Sequence, residues 1–366
     1  MNLPDDNLLT RTLADVGERF IKTRIIKRLQ QNPAVTHDLF GGLGHDSGIV
    51  RPIFDAEELL LVNTDKSGVS KAYTLGLAGG ECIGYFAISH AVSDILASGG
   101  TPFATSIAML LPGETTVQLV DEIVDGVKTA CLDYSVTLTG GDTKKNNSLS
   151  LVVTALGRAM EKNLLFRNRP RSGDRLVVTD YLGSMLLGSV IYKRNHNVSK
   201  AILEVVNDAL IWQRPPYNLG LAMSGARIAN ACTDISDGLP AACRNLISDS
   251  ALGVMLNESE IPIHPALRDF ANSIDLSPLQ MSMAGGDWRF LYAIPEQSLN
   301  RIDEISAETA TKLTVVGNIT QKPGIWATLI DGAVRELRPI EHDAFAQLPD
   351  NKSYFEYLSD PKDLFL

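Results

Sequence analysis

Residues 234–239 read Asp234-Ile235-Ser236-Asp237-Gly238-Leu239, and together with Thr139-Gly140-Gly141-Asp142-Thr143 upstream they carry the prediction of the fold. The upstream motif follows an apolar run at 136–138 that predicts a strand, so its glycines are expected to form a turn at the strand end. Residues 232–238, which contain most of the downstream motif, are expected to form a turn that leads into a helix at 239–247. Each motif sets a carboxylate beside glycine, an arrangement that suits phosphate binding and helix capping about equally.

Helical and strand-like segments are mixed along the whole chain. Helical periodicity marks the segments 8–30, 81–97 and 116–134. Apolar runs bounded by turn residues predict strands at 59–63, 104–111, 149–157, 175–179, 289–294 and 312–319. This order predicts an α+β (mixed α/β) fold class.

The length of 366 residues suits two domains of moderate size. A stretch rich in arginine, proline and glycine, 166–174, is the expected boundary between them. We therefore predict an N-terminal helical extension at 1–40, an N-terminal domain at 41–166, a C-terminal domain at 167–340 and a tail at 341–366.

The composition is that of an ordinary globular protein, with 45% hydrophobic and 21% charged residues. A net charge of −10 argues against a nucleic-acid partner, because a duplex binder needs a basic face. The polar start and the short apolar runs predict no signal segment and no membrane span, and therefore a cytoplasmic protein. The four cysteines have apolar neighbours, which predicts buried free thiols.

A set of aspartates at predicted strand or turn ends could bind magnesium, namely Asp46, Asp65, Asp94, Asp142, Asp234 and Asp237. Mg²⁺ prefers one or two carboxylates together with phosphate oxygens and water. Taken singly, each aspartate is better explained as a helix cap or turn residue. The chain has neither a Walker A motif nor a G-x-G-x-x-G after a strand, so an ATP enzyme would have to bind phosphate without a P-loop.

Several motifs in a fixed order carry a resemblance to a known family. They are Thr64-Asp65, Ser93-Asp94-Ile95, the motif at 139–143, Gly173-Asp174 with Leu182-Gly183 after it, Arg214-Pro215-Pro216, the motif at 234–239 and Gly285-Gly286-Asp287-Trp288. This series resembles thiamine-monophosphate kinase, with a pattern of roughly G-D-x-x-x-V-T-G-x-L-G, R-P-x-P, D-I-S-D-G-L and G-G-E-D-Y-E-L. The resemblance covers roughly residues 40 to 320 and is more specific to the aminoimidazole ribonucleotide synthetase superfamily than to one activity.

The resemblance implies a magnesium-dependent ATP phosphotransferase, a kinase of a small molecule, whose N-terminal domain binds ATP and metal and pairs in a homodimer. The implied ligands of Mg²⁺ are Asp46, Asp65, Asp94, Asp142 and Asp237. The implied ATP-binding residues are Gly140, Gly141, Asp142, Thr143, Lys144 and Ser236, and the implied catalytic residues are Asp142, Lys144 and Asp237. The implied acceptor-side residues are Asp287, Trp288 and Arg289. Lys144 is almost as well explained as an exposed loop charge, and Trp288 equally well as a core residue.

The chain departs from the family pattern at several of these positions. His45 stands where the family has a second aspartate, Ala91 replaces an asparagine, and Gly286 and Arg289 replace two glutamates. The added positive charge leads to the hypothesis of an acceptor more anionic than thiamine monophosphate. Two other functions stay open, an ATP-dependent ligase or cyclase that activates a carbonyl or amide oxygen, and a non-catalytic nucleotide-binding relative.

Overall fold

The computed structural model describes residues 8–16, 18–31, 58–248, 250–338 and 365. The chain divides into two compact units, an N-terminal unit of residues 1–96 and 100–161 and a C-terminal unit of residues 97–99 and 162–366. The four-segment division proposed from the sequence stays a prediction, and two of its three boundaries, after residues 40 and 340, lie outside the described residues.

The N-terminal unit contains one four-stranded sheet with helices packed on it. Its elements are α1 (Leu13–Val16), α2 (Glu18–Gln30), β1 (Glu58–Ser67), α3 (Lys71–Thr74), α4 (Glu81–Ala97), β2 (Thr101–Leu111), α5 (Val117–Asp133), β3 (Thr137–Lys145) and β4 (Ser150–Met160). The strand order is β1-β4-β2-β3, in which β2 and β3 run parallel and the other neighbours run antiparallel. Among the described strands, β1 and β3 are therefore the two edge strands of this sheet.

Helix α5 illustrates why these residues form these elements. Its side chains at Val117, Val120, Val124 and Val127 recur at helical spacing and are all buried. The hydroxyl oxygen of Thr116 accepts a hydrogen bond from the Leu119 amide and caps the first turn. The predicted helix is thus confirmed with bounds one residue shorter at each end.

The N-terminal helix α2 is held on α5 by charged side chains. Arg24 Nε donates to Asp121 Oδ1 at 2.8 Å, and Arg28 lies 3.5 Å from the same carboxylate. Asp121 is almost fully buried, so its charge needs these partners. The helix predicted over 8–30 is confirmed from residue 13 onward as α1 and α2, and it is wrong at 8–12, where residues 8–10 form a turn and Thr12 forms a β-bridge with Thr116.

The C-terminal unit contains a seven-stranded sheet. Its elements are β5 (Arg175–Thr179), α6 (Ser184–Arg194), α7 (Lys200–Ile211), α8 (Tyr217–Ala226), β6 (Ala231–Ile235), α9 (Leu239–Ile247), β7 (Gly253–Asn257), α10 (Pro265–Ser273), α11 (Pro278–Met281), β8 (Arg289–Ile294), α12 (Ile302–Thr309), β9 (Leu313–Thr320), β10 (Gly324–Thr328) and β11 (Val334–Glu336). The strand order is β11-β10-β7-β9-β5-β8-β6, with only the β10–β7 pair parallel among these strands.

Strands β5 and β8 have the predicted bounds, and the α+β class is confirmed. The predicted turn at 232–238 is wrong in its first half, because 231–235 pair with β8 as strand β6. All five residues of β6 are buried, so tertiary packing overrides the local turn pattern. The four cysteines are buried free thiols as predicted, and burial raises the pKa of Cys131 to about 12.

No helix within the described ranges has both the length and the apolar character that a membrane span needs.

Candidate functional site

The Gly140-Gly141-Asp142 motif lies inside strand β3, not in a turn after it. β3 pairs in parallel with β2 from Thr137 to Lys145, with a bulge where the partner of Thr105 is Leu138 and the partner of Ser106 is Gly140. The predicted turn is therefore wrong, because pairing with a strand distant in sequence extends the strand through both glycines.

Gly141 is required by this strand pairing. A Cβ at this position would lie 1.6 Å from the carbonyl oxygen of Ile107 on β2, far inside contact distance. The neighbouring Gly140 has a φ of +138°, which fits the bulge and disfavours other residues. Strand geometry thus accounts for both glycines, and their predicted role in ATP binding stays a prediction.

The side chains of Asp142 and Lys144 lie next to each other on the edge strand β3. Their side chains are 50% and 59% exposed, and Lys144 Nζ lies 3.9 Å from Asp142 Oδ2. Asp142 Oδ1 also accepts a hydrogen bond from the Thr143 amide at 2.8 Å. The carboxylate and the ammonium group are both accessible to a ligand, as the predicted roles of these residues require.

Asp65 and Asp94 lie on neighbouring elements around His90. Asp65 Oδ1 lies 3.8 Å from His90 Nε2 on α4, and Asn63 donates its amide to the other oxygen of the same carboxylate. Asp94 follows His90 by one turn of α4, so both point from the same face of that helix. The fold thus brings the predicted ligands Asp65 and Asp94 to one side of the N-terminal unit.

The sheet register separates Asp65 from Asp142. Asp65 pairs with Val153 of β4, Val153 pairs with Ile107 of β2, and Ile107 pairs with Gly141 of β3. Asp142 is the next residue, so the two aspartates lie at nearly the same level on opposite edge strands. Three strand spacings put them about 14 Å apart, which is too far for both to bind one ion in a single chain.

The described residues of the N-terminal unit supply only some of the ligands that Mg²⁺ needs. Its acidic side chains are carboxylates at a sheet surface, the donor type that Mg²⁺ prefers. No group of three His, Cys, Asp or Glu side chains that could hold a metal occurs among the described residues. Asp46 and His45 lie outside the described residues, so the predicted ligand Asp46 has no described place. One or two protein carboxylates suffice for Mg²⁺ when phosphate oxygens complete the shell.

In the C-terminal unit, the motif at 234–239 is bonded to the glycine motif at 285–286. The Ser236 carbonyl accepts a hydrogen bond from the Gly286 amide at 2.9 Å, and the Leu239 amide donates to the Ser282 carbonyl at 2.8 Å. Asp237 is exposed at this junction, whereas Asp234 is buried and lies 3.5 Å from Arg167 Nη2. Two motifs distant in sequence thus form one structure that presents the predicted catalytic carboxylate of Asp237.

Asp287 caps helix α6. Its two carboxylate oxygens accept hydrogen bonds from the Gly183 amide at 2.6 Å and the Met185 amide at 3.1 Å. Burial raises the pKa of the Asp287 carboxyl above its ordinary value of 3.8, and these amide hydrogen bonds and the charge of Arg289 offset only part of that effect. Asp287 therefore organises the Leu182-Gly183 motif, and its predicted contact with the acceptor stays a prediction.

Gly286 and Trp288 occupy a constrained backbone. Gly286 has a φ of +103°, and a Cβ there would lie 2.6 Å from Met185 Cγ, so the glutamate of the family pattern cannot stand at this position without strain. Trp288 is buried to 4% exposure with a φ of +51°. Its burial favours the core-packing interpretation over stacking on a ligand, which stays a prediction.

A cavity of about 610 Å³ opens beside Asp287 in the C-terminal unit. It has the size of a small-molecule site. Residues from the β5–α6 turn, from α7, from the segment before α8 and from β8 line it. Three aromatic side chains, Tyr181, Trp212 and His264, belong to this lining.

Arg289 lines the cavity but its charge is already paired. Its Nη2 lies 3.2 Å from Asp180 Oδ2, and its Nη1 donates to the Arg214 carbonyl oxygen at 2.9 Å. The lining carries four carboxylates against two guanidinium groups, namely Asp180, Glu204, Asp208 and Asp287 against Arg214 and Arg289. A net acidic lining is unfavourable for an anion, so the hypothesis of a more anionic acceptor loses its physical basis.

Family models match both units. The model of the N-terminal domain of AIR synthase related protein matches residues 44–159, and that of the C-terminal domain matches residues 171–329. This chain belongs to the AIR synthase related family. Within the family, the predicted resemblance to thiamine-monophosphate kinase is confirmed by curated relatives. The thiamine-monophosphate kinase of Pyrococcus horikoshii is 26% identical over 78% of this chain and 85% of that protein, and the one of Aquifex aeolicus is 27% identical over 72% and 81%.

Several solved structures have a similar fold. Thiamine-monophosphate kinase from Stenotrophomonas maltophilia K279a has a TM-score of 0.72 at 24% identity and covers 85% of this chain and 95% of its own. AaThiL complexed with AMPPCP and TMP has a TM-score of 0.65 at 24% identity, with coverages of 88% and 96%. Hydrogenase maturation protein HypE in complex with ATP reaches 0.71 at 16% identity, with coverages of 93% and 99%. At these identities the likeness concerns the fold.

Sequence reasoning missed Asp180 and His90. Asp180 follows Thr179, where the family pattern has glycine, and its φ of +55° shows that the glycine-like backbone is kept. A search of each motif for charged replacements of glycine would have found it. His90 belongs to none of the motifs, and its contact with Asp65 depends on how β1 and α4 pack.

Proposed function

We propose that this chain transfers the γ-phosphoryl group of ATP to thiamine monophosphate. The observation that carries the proposal is the junction of the 234–239 and 285–286 motifs through the Ser236–Gly286 hydrogen bond, with Asp237 exposed on it and the 610 Å³ cavity beside Asp287. The curated thiamine-monophosphate kinases that match most of the chain support this acceptor.

The cavity of the C-terminal unit suits the cationic, heteroaromatic part of thiamine monophosphate. Its excess of carboxylates favours a cation, and Tyr181 and Trp212 offer faces on which an aromatic ring can stack. Any aromatic ring can stack on these faces, but only a positively charged ring is also attracted by the carboxylates.

Mg²⁺ is the proposed metal, with Asp46, Asp65, Asp94, Asp142 and Asp237 as its proposed ligands. When bound, the ion would neutralise the charge of the transferred phosphoryl group. Lys144 lies 3.9 Å from Asp142 and has an exposed ammonium group, so it can add a second positive charge at the same place. Catalysis then consists mainly of positioning and charge neutralisation.

A homodimer is part of the proposal, because β1, an edge strand among the described strands, exposes apolar side chains. Leu60 and Val62 on the edge strand β1 are 52% and 59% exposed. Exposed apolar side chains on an edge strand favour pairing with another chain. A second copy could also supply Asp142 to the site that contains Asp65, which a single chain keeps about 14 Å away.

The test is turnover of MgATP with thiamine monophosphate, followed by phosphorus NMR of the products. We expect ADP and thiamine diphosphate in equal amounts, with none formed when EDTA replaces Mg²⁺. Thiamine without its phosphate serves as the matched acceptor control. ADP with free phosphate and no phosphorylated acceptor would instead indicate the ligase or cyclase alternative. Nucleotide binding without any ADP would leave the non-catalytic alternative.

A further inference from the structure

Arg289 joins three separate segments of the cavity wall. It stands at the start of β8, its Nη2 pairs with Asp180 in the turn after β5, and its Nη1 donates to the carbonyl oxygen of Arg214 ahead of α8. All three residues line the cavity. A guanidinium group holds such a set well, because its donors are fixed in one plane and can serve two acceptors at once.

Asp180 adopts a backbone conformation that costs energy. Its φ of +55° lies in the left-handed region, which residues other than glycine rarely adopt. The Asp180 amide donates to the Lys312 carbonyl at 2.6 Å, which holds the turn in this shape. In this turn the Asp180 carboxylate lies 3.2 Å from Arg289 Nη2.

Each segment that Arg289 joins carries an aromatic side chain of the cavity. Tyr181 follows Asp180 directly, and its ring packs edge-on against His264 at 4.9 Å and lies 5.0 Å from Lys312 Nζ. Trp212 precedes Arg214, whose guanidinium carbon lies 4.9 Å from the indole ring. The bonds of Arg289 therefore link the turn that carries Tyr181 with the segment that carries Trp212.

We infer that Arg289 is a positioning residue for the acceptor, which acts by holding the Tyr181 turn and the Trp212 segment in the arrangement that receives the acceptor ring. The inference rests on the proposed function. It assigns the charge of Arg289 to Asp180 and not to a substrate oxygen. Asp180 and Arg289 thus act together as one ion pair, and loss of either residue frees the same two segments.

The test compares steady-state kinetics of the wild type with Arg289→Met, Asp180→Gly and the double variant, varying thiamine monophosphate and ATP separately. Asp180→Gly removes the carboxylate without strain, because glycine suits the positive φ. Arg289→Met should raise KM for thiamine monophosphate by about tenfold through the loss of two hydrogen bonds of a charged group. kcat and KM for ATP should stay within about twofold, since the nucleotide does not depend on these bonds.

Two further variants separate positioning from general destabilisation. Arg289→Lys keeps the positive charge but lacks the planar guanidinium group that serves two acceptors, so its KM for thiamine monophosphate should lie between those of the wild type and Arg289→Met. Glu296→Gln removes the partner of Arg175 at 3.6 Å in an exposed pair of the same unit and should leave KM unchanged. If Arg289→Met does not fold, Asp180→Gly and Arg289→Lys carry the comparison.

The kinetic outcomes distinguish the positioning role of Arg289 from the proposed kinase activity. Asp180→Gly and the double variant should raise KM for thiamine monophosphate about as much as Arg289→Met does, because each of them breaks the same ion pair. An unchanged KM for thiamine monophosphate, an equal rise in both KM values, or multiplied effects in the double variant overturns the positioning role while wild-type turnover upholds the kinase. A wild-type protein that forms no thiamine diphosphate overturns the proposed function, and this inference with it.

Discussion

Gly141→Ala should destabilise the N-terminal unit and not merely weaken ATP binding. The added Cβ would lie 1.6 Å from the Ile107 carbonyl oxygen. An ordinary carbon–oxygen contact needs about 3.3 Å, so β3 would have to move by about 1.7 Å. Hydrogen bonds of about 2.9 Å cannot survive that displacement. We expect a loss of about 3 kcal/mol in the free energy of unfolding and a melting temperature about 6–12 °C lower.

Thermal and urea unfolding followed by circular dichroism measure this effect, and calorimetric titration with MgATP measures nucleotide affinity in the folded variant. Gly68→Ala is the matched control in the same unit, because a Cβ there meets no atom within 4 Å and its φ is not positive. The reasoning is refuted if Gly141→Ala melts within about 1 °C of Gly68→Ala while losing ATP affinity. In that case the glycine serves the approach of phosphate and not the strand pairing.

Three further predictions concern the aspartates. Asp65→Asn and Asp142→Asn should each lower kcat by about 100-fold or more without changing the urea midpoint. A co-refolded equal mixture of the two variants should regain about a quarter of wild-type activity if the site spans two copies, and no recovery would contradict a site shared between copies. Asp287→Ala should lower the free energy of unfolding by about 2–4 kcal/mol, because two buried amides lose their acceptor. The control Asp331→Ala removes an exposed acceptor 2.9 Å from the Ala333 amide and should lower it by less than about 0.5 kcal/mol. Burial holds the pKa of the Asp287 carboxyl above 3.8, so its contribution to the free energy of unfolding is complete below pH 3.8 and declines as the pH rises through the folded pKa. The loss of unfolding free energy caused by Asp287→Asn should therefore become smaller with rising pH in urea unfolding, and a loss that grows with pH would contradict the direction of the shift.

Several elements could be predicted from the sequence because their signals are local. Helix α4 has the predicted bounds, Glu81–Ala97, and strands β5 and β8 begin and end where their apolar runs do. The mixed order of these elements sufficed for the α+β class. Local periodicity reports which face of an element is buried, and burial of that face stabilises the element in almost any arrangement.

The strands that carry the glycine and aspartate motifs were predicted less well. Residues 139–143 and 232–235 look like turns, yet both lie in strands, β3 and β6. Their partners, β2 and β8, are distant in sequence, and pairing supplies the hydrogen bonds that the local pattern does not. Strand propensity depends on such neighbours more than on the residues themselves.

By itself, the sequence determined the family, the two-part organisation and the acidic residues from which a phosphoryl-transfer site can be built. Only the tertiary structure decided what those residues can do: Asp65 and Asp142 lie on opposite edges of one sheet, and the charge of Arg289 is taken up by Asp180. The physical reason is that the identity of a residue fixes its charge and hydrogen-bonding groups. The partners that neutralise or share them come from segments far away in the chain, which only folding brings within a few ångströms.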